Sequence, residues 1–308
     1  GDTTEPEQQK RGNTFITLIL DDVAHAQAQR LWAAVSRDRN PLAWRAVWHE
    51  FISDWSEATN LSKSLRLRLD QEFPLEIKAK MSVAAKNFTR KALITLADGP
   101  KIETVLLSHA DGRRTACLSS QVGCPLGCRF CATGSMGFKR NLSYDEIIAQ
   151  ALFWSRKLKV KGESLSNVVF MGMGEPLLNY KAVMKAIDIL NDPEYFNIGA
   201  RQISISTVGI VPEIKKLSKE KRQINLALSL HASNDSKRSR LMPINQRYPL
   251  KSVLSAIDEY ISRSRRRVML EYILIDGVND SAEDAKALAD LAKRPLVFVN
   301  LISYNKTG

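Results

Sequence analysis

From residue 115 onward, short apolar runs of strand length alternate with segments of helical periodicity, and this alternation restricts the chain to very few architectures. Strands are predicted over 115–120, 167–172, 202–207, 224–230, 268–275 and 296–302, and helices over 143–158, 180–191, 211–219, 249–263 and 281–293. Ser143, with Glu146 three residues later, has the form of a capping box at the first of these helices. Counting the strand at 115–120, there are six β/α steps of roughly thirty residues, the length of a parallel strand pair joined by a crossover helix. A closed eight-fold barrel needs two more units, so the expected fold is α/β, an incomplete (β/α)6 barrel open at one side.

Upstream of the alternation the pattern changes twice. Residues 1–14 are polar and read as disordered. Residues 15–85 read as a helical accessory domain, in which Trp44, Val47, Trp48, Phe51 and Trp55 recur at helical spacing and are assigned to a core rather than to a base-stacking platform. A basic helix is expected over 60–69. Between 86 and 116 the period becomes two, with strands at 91–97 and 102–108 and turns at Asp98-Gly99 and Asp111-Gly112, which predicts a small antiparallel β-hairpin connector. The partial barrel is then assigned to 117–308.

A chain of 308 residues with 44% hydrophobic side chains can bury a large core. The apolar stretch 15–20 is far too short to span a bilayer and lacks the flanks of a secretion signal, so no membrane association is expected. All four cysteines fall between 117 and 131, a local set that suits a metal site in a reducing compartment better than a disulfide framework. A cytoplasmic setting follows, or an organelle matrix in a eukaryote. The net charge of +12 is concentrated in Lys63, Arg66 and Arg68, in Lys215 to Arg222, and in Arg263 to Arg267. Such clusters fit a polyanionic partner or solvated helix faces, and charge alone does not separate the two.

Cys124, Cys128 and Cys131 form a C-x-x-x-C-x-x-C run in the loop after the first strand. A zinc knuckle needs a fourth thiolate or imidazole nearby, yet the next histidine downstream is His231; a redox pair needs only two thiols. Three thiolates can hold a [4Fe-4S] cluster with one iron left open to a non-protein ligand. The C-terminal ends of the later strands, where barrel chemistry gathers, are polar and glycine-rich: Gly172 to Glu175, Ser206-Thr207, Ser229 to His231, Asp276 to Asn279, and Tyr304-Asn305. Each has an ordinary explanation as a turn or a local hydrogen-bonding group. Together around the cysteine loop they suit a polar, zwitterionic cofactor, and S-adenosylmethionine, whose amino and carboxylate groups can chelate an open iron, fits.

The runs IETV (102–105), CLSSQVGCPLGCRFCATG (117–134), GFKRNL (137–142), MGMGEPLLN (171–179), IST (205–207) with Gly209 and Pro212, SLHA (229–232) and MPIN (242–245) resemble a known family. It comprises the radical S-adenosylmethionine enzymes that methylate carbon 2 of an adenine in 23S ribosomal RNA, with relatives acting on transfer RNA or on carbon 8. The resemblance spans roughly residues 40–305. It implies a radical S-adenosylmethionine barrel preceded by an RNA-gripping helical domain, and a cluster held by Cys124, Cys128 and Cys131. By position, Gly174, Glu175, Ser206, Ser229, Leu230, His231 and Asn305 contact S-adenosylmethionine, Glu103 is the base that takes the adenine proton, and Cys117 resolves a covalent protein–RNA adduct. Ribosomal RNA, with transfer RNA as a second substrate class, an electron donor such as flavodoxin or ferredoxin, and a monomeric state are further implications. The family's methyl-carrying tail cysteine has no counterpart before Gly308, so the expectation for the chain as written is cluster and cofactor binding without completion of methyl transfer by that route. The alternatives are a radical enzyme of other or lost activity, and an RNA-binding protein whose cluster is structural.

Overall fold

The computed structural model describes residues 40–83 and 88–305, which divide into two compact units at Glu76/Ile77. The expectations for residues 1–14 and for the start of the helical domain lie outside these residues.

The first unit is helical. In α1 (Pro41–Trp48), Pro41 opens the helix where no amide donor is needed, and Asn40 caps it by accepting from Ala43 N at 3.0 Å. Trp44, Val47 and Trp48 are buried, as is Trp55, which sits in a one-turn 3-10 helix and donates its indole N–H to the Phe73 carbonyl at 2.8 Å. The stripe is therefore core, but it does not lie on one continuous helix, because Phe51 adopts φ 46° and breaks the helix after Trp48. Helix α2 (Lys63–Glu72) is the expected basic helix. Helical structure stops there rather than continuing to 85: β1 (Ala79–Val83) is a strand.

The second unit is built on one nine-stranded sheet in the order β1-β2-β3-β4-β7-β8-β9-β10-β11. Strands β1, β2 (Thr89–Thr95), β3 (Lys101–Ser108) and β4 (Arg114–Cys117) pair antiparallel, so the hairpin connector is continuous with the barrel sheet. From β4 the pairing becomes parallel through β7 (Asn167–Phe170), β8 (Ile203–Thr207), β9 (Asn225–Ser229), β10 (Val268–Leu274) and β11 (Val297–Ser303). These six parallel strands are the six predicted steps, and β1 and β11 occupy the two ends of the order, which leaves the barrel incomplete. A separate pair, β5 (Gln121–Gly123) and β6 (Phe138–Asn141), closes the base of the cysteine loop around the short α3 (Ala132–Ser135).

The crossovers carry α4 (Tyr144–Lys159), α5 (Tyr180–Asn191), α6 (Val211–Leu217), α7 (Asp235–Leu241), α8 (Leu250–Ser264) and α9 (Ala282–Ala292). The predicted box opens α4: Glu146 N bonds Ser143 Oγ, and Ser143 N bonds the Glu146 carboxylate. Register divides the sheet into two faces of opposite character. Ile102, Leu106, Ala116, Val168, Phe170, Ile203, Ile205, Leu226, Leu228, Val268 and Leu270 share one face and are almost wholly excluded from water. On this side Trp154 of α4 donates to Thr104 Oγ1 at 3.0 Å, and Thr104 in turn donates to the Cys117 carbonyl at 2.8 Å. The opposite face carries Glu103, Cys117, Ser204, Ser206, Ser229, Glu271 and Asn300, too polar to be packing material and poised toward the barrel interior.

Two of the basic clusters are placed by this topology. Residues 215–222 lead into β9 and residues 263–267 lead into β10, so both lie at the N-terminal ends of the strands, opposite the end that carries the cysteine loop. Arg222 is paired with Asp188 and Glu220, and Lys215 and Arg263 both face Glu259. With Lys216 facing Glu213, part of the charge of each cluster is offset by acidic partners.

Candidate active site

At the C-terminal ends of the parallel strands, one cavity of about 280 Å³ is lined by Cys124, Cys128 and Cys131 together with Gly174, Glu175, Ser206, Ser229 and His231. The cysteine loop is held there by backbone bonds: Cys124 N donates to the Gly137 carbonyl at 2.9 Å, Cys131 N to the Cys128 carbonyl at 3.1 Å, and Arg129 N to the Leu241 carbonyl at 2.9 Å. Gly123 makes the base possible. It has φ +76°, and a Cβ there would stand 1.8 Å from the Gly137 carbonyl oxygen.

Cys128 is buried, and its thiol is pushed up to about 12 by desolvation and by the neighbouring Cys131 and Cys124. Burial likewise raises the Cys124 thiol. Thiols that resist ionisation together become ligands when a positive centre takes the place of their protons. Among the described residues no three histidine, cysteine or acidic side chains converge tightly enough for a single metal ion. Three thiols lining one cavity are the donor set of an iron-sulfur cube with one open iron, so the residues present fit that cluster.

Glu175 is the second pole of the cavity. Its carboxylate accepts from Val208 N at 2.9 Å and Leu177 N at 3.1 Å, while Gln121 Oε1 accepts from its backbone N–H at 2.9 Å. Burial nevertheless raises its pKa to about 7, against the lowering effect of those bonds and of the Thr207 hydroxyl. A carboxylate oriented in this way and short of water is a natural receptor for an ammonium group. Gly174, at φ +96°, lets the backbone pass Gln121, whose Cβ would lie 2.5 Å from an added Cβ.

Ser206 and Ser229 project from adjacent strands with their hydroxyls 3.3 Å apart. His231 adopts φ 57°, its Nδ1 accepts from Ile273 N at 3.1 Å, and its ring meets the Phe130 edge at 4.6 Å. Burial, reinforced by the charge of Arg238, lowers its pKa to about 3, so it is neutral at physiological pH. Leu230 is core: its side chain is buried, its N–H bonds the Glu271 carbonyl and its own carbonyl accepts from Arg238. Asn305 is exposed and is not among the residues lining the cavity. Asn279, one of the polar strand-end residues, turns inward and clamps the loops after β9 and β10 by donating to the carbonyls of His231 and Ile273.

Glu103 and Cys117 lie on the interior face, two positions apart across the β3–β4 pairing, but outside the cavity lining. Glu103 is half-exposed and pairs with Lys91 at 3.1 Å. The Cys117 thiol is pushed up to about 11 by burial. The residues that sequence reasoning missed are Phe130, Met171, Glu271 and Ile273 in the lining, and Arg238 behind it. Glu271 holds Asn300 at 2.7 Å across β10 and β11. The strand period aims Glu271 and Ile273 inward, while Phe130, Met171 and Arg238 lie outside the strands.

Residues 118–292 match the profile of the Radical SAM superfamily. A protein of Moorella thermoacetica named "Probable dual-specificity RNA methyltransferase RlmN" is 48% identical over 295 residues, covering 93% of this chain and 82% of that protein. The chain belongs to the RlmN family. A protein of the same name from Dictyoglomus turgidum is 46% identical over 260 residues, covering 84% of this chain and 74% of the other. A solved radical SAM methyltransferase from Sphaerobacter thermophilus has 42% identity and a TM-score of 0.83, covering 91% of this chain and 84% of that one. As a member of the RlmN family the chain uses a [4Fe-4S] cluster and S-adenosylmethionine, and the same matches identify the sheet as an incomplete radical SAM barrel.

Proposed function

We propose that this chain methylates carbon 2 of an adenine in 23S ribosomal RNA, with transfer RNA as a second substrate class, by way of a deoxyadenosyl radical. The observation that carries the reading is the single cavity uniting the three thiols with Glu175, Ser206, Ser229 and His231, set in a chain of the RlmN family. An aromatic carbon such as this one has no acidic proton for polar methyl transfer. When bound, the cluster supplies the electron that releases a carbon radical from S-adenosylmethionine.

In this reading Cys124, Cys128 and Cys131 are the cluster ligands. Glu175 holds the amino group of S-adenosylmethionine, and the paired hydroxyls of Ser206 and Ser229 provide donors and acceptors beside it. His231 stays neutral and fixes the loop after β9. The backbone at Gly174 admits close approach, and Leu230 and Asn305 are assigned to S-adenosylmethionine by family position alone, neither lining the cavity. Glu103 takes the adenine proton at its carboxylate and Cys117 offers a thiol that releases the RNA adduct. Lys91 pairs with the Glu103 carboxylate at 3.1 Å and aims it across β2 and β3.

The helical unit grips RNA through the basic side of α2. A flavodoxin or ferredoxin delivers the electron, and the enzyme works as a monomer in the cytoplasm. No helix among the described residues is long and apolar enough to cross a membrane. The test is anaerobic reconstitution followed by reduction with dithionite in the presence of S-adenosylmethionine and a 23S RNA fragment. Deoxyadenosine release is expected from the chain as written, and a methylated adenine once a C-terminal segment carrying the methyl-bearing cysteine is supplied. Cluster-loaded protein that releases no deoxyadenosine sinks the radical reading, and a Glu103→Gln variant with full methylation removes Glu103 as the base.

A further inference from the structure

Arg238 of α7 is fully buried, and its guanidinium spans the ends of two barrel strands. It donates to the carbonyls of Val208 at 2.6 Å, Ser229 at 3.2 Å and Leu230 at 3.2 Å, and to the Asn245 side-chain oxygen at 2.7 Å. All four acceptors are neutral. Among the described residues no carboxylate is within ion-pair distance of it; the carboxylate whose charge bears on it, Asp235, accepts from Asn245 and from Leu250 N. A buried cation without an anionic partner is costly, and structures retain one where a counter-charge arrives from elsewhere.

The site supplies that counter-charge. Val208 and Ser229 line the cavity from the front while Arg238 holds their carbonyls from behind. Leu241 and Met242, which follow Arg238 in the chain, pack in one cluster with Cys128, and Arg129 N is tied to the Leu241 carbonyl. The bonds to Val208 and Ser229 and the packing of Leu241 and Met242 on Cys128 place the guanidinium behind the cavity wall on the side of the cysteine loop. Three thiolates around an iron-sulfur cube make a net negative centre, and reduction adds one further negative charge. Cluster potential follows local charge and solvent exclusion.

We propose that the fixed positive charge of Arg238 sets the reduction potential of the cluster held by Cys124, Cys128 and Cys131, favouring the form that carries one more electron. The electron comes from the external donor, no proton moves, and Arg238 is a positioning residue that touches neither substrate nor iron. The proposal rests on the cysteine assignment made above.

The experiment is an anaerobic redox titration of reconstituted chains, followed by electron paramagnetic resonance of the reduced cluster, with iron and sulfide counted in each sample. Arg238→Gln should load iron normally yet be reduced at least tenfold less readily at a given potential, a shift of about 59 mV to more negative values. Arg238→Lys, which keeps the charge, should stay near the parent. Should Arg238→Gln not fold, the paired change Asp235→Asn with Asn245→Asp keeps size and total charge, moves a carboxylate against the guanidinium, and should shift the potential in the same direction. An unchanged potential in either loaded neutralised protein overturns the proposal and leaves the ligand assignment intact. Full iron content in Cys128→Ala overturns the ligand assignment, and the proposal with it.

Discussion

Replacement of Glu175 by Gln tests whether a buried carboxylate is kept at a stability cost in order to bind a cation. Glu175 is 3% exposed, and its pKa rises from 4.5 to about 7. Because the folded-state value lies above the unfolded one, its favourable contribution to folding is complete below pH 4.5 and disappears as the pH rises through 7. Above pH 7 the ionised group opposes folding of the ligand-free protein by about 3 kcal/mol, taking 1.36 kcal/mol per pH unit. Glu175→Gln removes that penalty and keeps one acceptor for Val208 N or Leu177 N. Scanning calorimetry of the apoprotein should show a higher Tm for the variant at pH 8, by about 5 °C for a chain of this length, and little difference at pH 4.5. Binding should move the opposite way. The parent loses about tenfold in S-adenosylmethionine affinity between pH 8 and pH 6, as the ionised fraction falls from about nine-tenths to about one-tenth. The variant should bind at least about a hundredfold more weakly at pH 8, since the ammonium loses its charged partner, and should show no such pH dependence. Titration calorimetry on cluster-loaded protein reads both. A variant that binds as tightly as the parent, or that melts lower at pH 8, refutes the reasoning.

Other outcomes follow from the same geometry. Gly123→Ala places a methyl group into the Gly137 carbonyl, and reconstituted protein should hold less than half the parent's iron by colorimetric assay. Ser206→Ala and Ser229→Ala should each weaken S-adenosylmethionine binding by roughly fivefold, near 1 kcal/mol for one hydrogen bond, with iron content unchanged. Trp55→Ala removes a buried indole and its bond to Phe73, so the helical unit should lose about 3 to 5 kcal/mol in denaturant melts, while deoxyadenosine release by the barrel stays near the parent rate.

The residues that announced themselves in the sequence were those whose local pattern and final environment agree. Helix α5 has the predicted bounds, and the Ser143–Glu146 box opens α4, because apolar periodicity and capping are local signals. Glu175 and Gly174 were singled out because several polar strand ends gather around the cysteine loop, each of which alone reads as an ordinary turn. Helix α7 escaped because its only buried residues are Leu241 and Arg238; the side chain marking its inner face is the one that ordinarily marks an outer face. Strand β1 escaped because all five of its residues are exposed, which leaves no alternation to read. Asn279 looked like a ligand group and is a clamp, since a single polar residue at a strand end carries no sign of the direction it turns.

The sheet's linear strand order has a consequence for what can be modified. A ring sealed on all sides admits only what fits through its mouth, whereas among the described residues β11 pairs with β10 alone and leaves the wall open there. A nucleotide still joined to its neighbours in a folded RNA can be presented sideways through such a gap, so the reactive end of the strands is reachable by one base of an intact macromolecule without threading a free end.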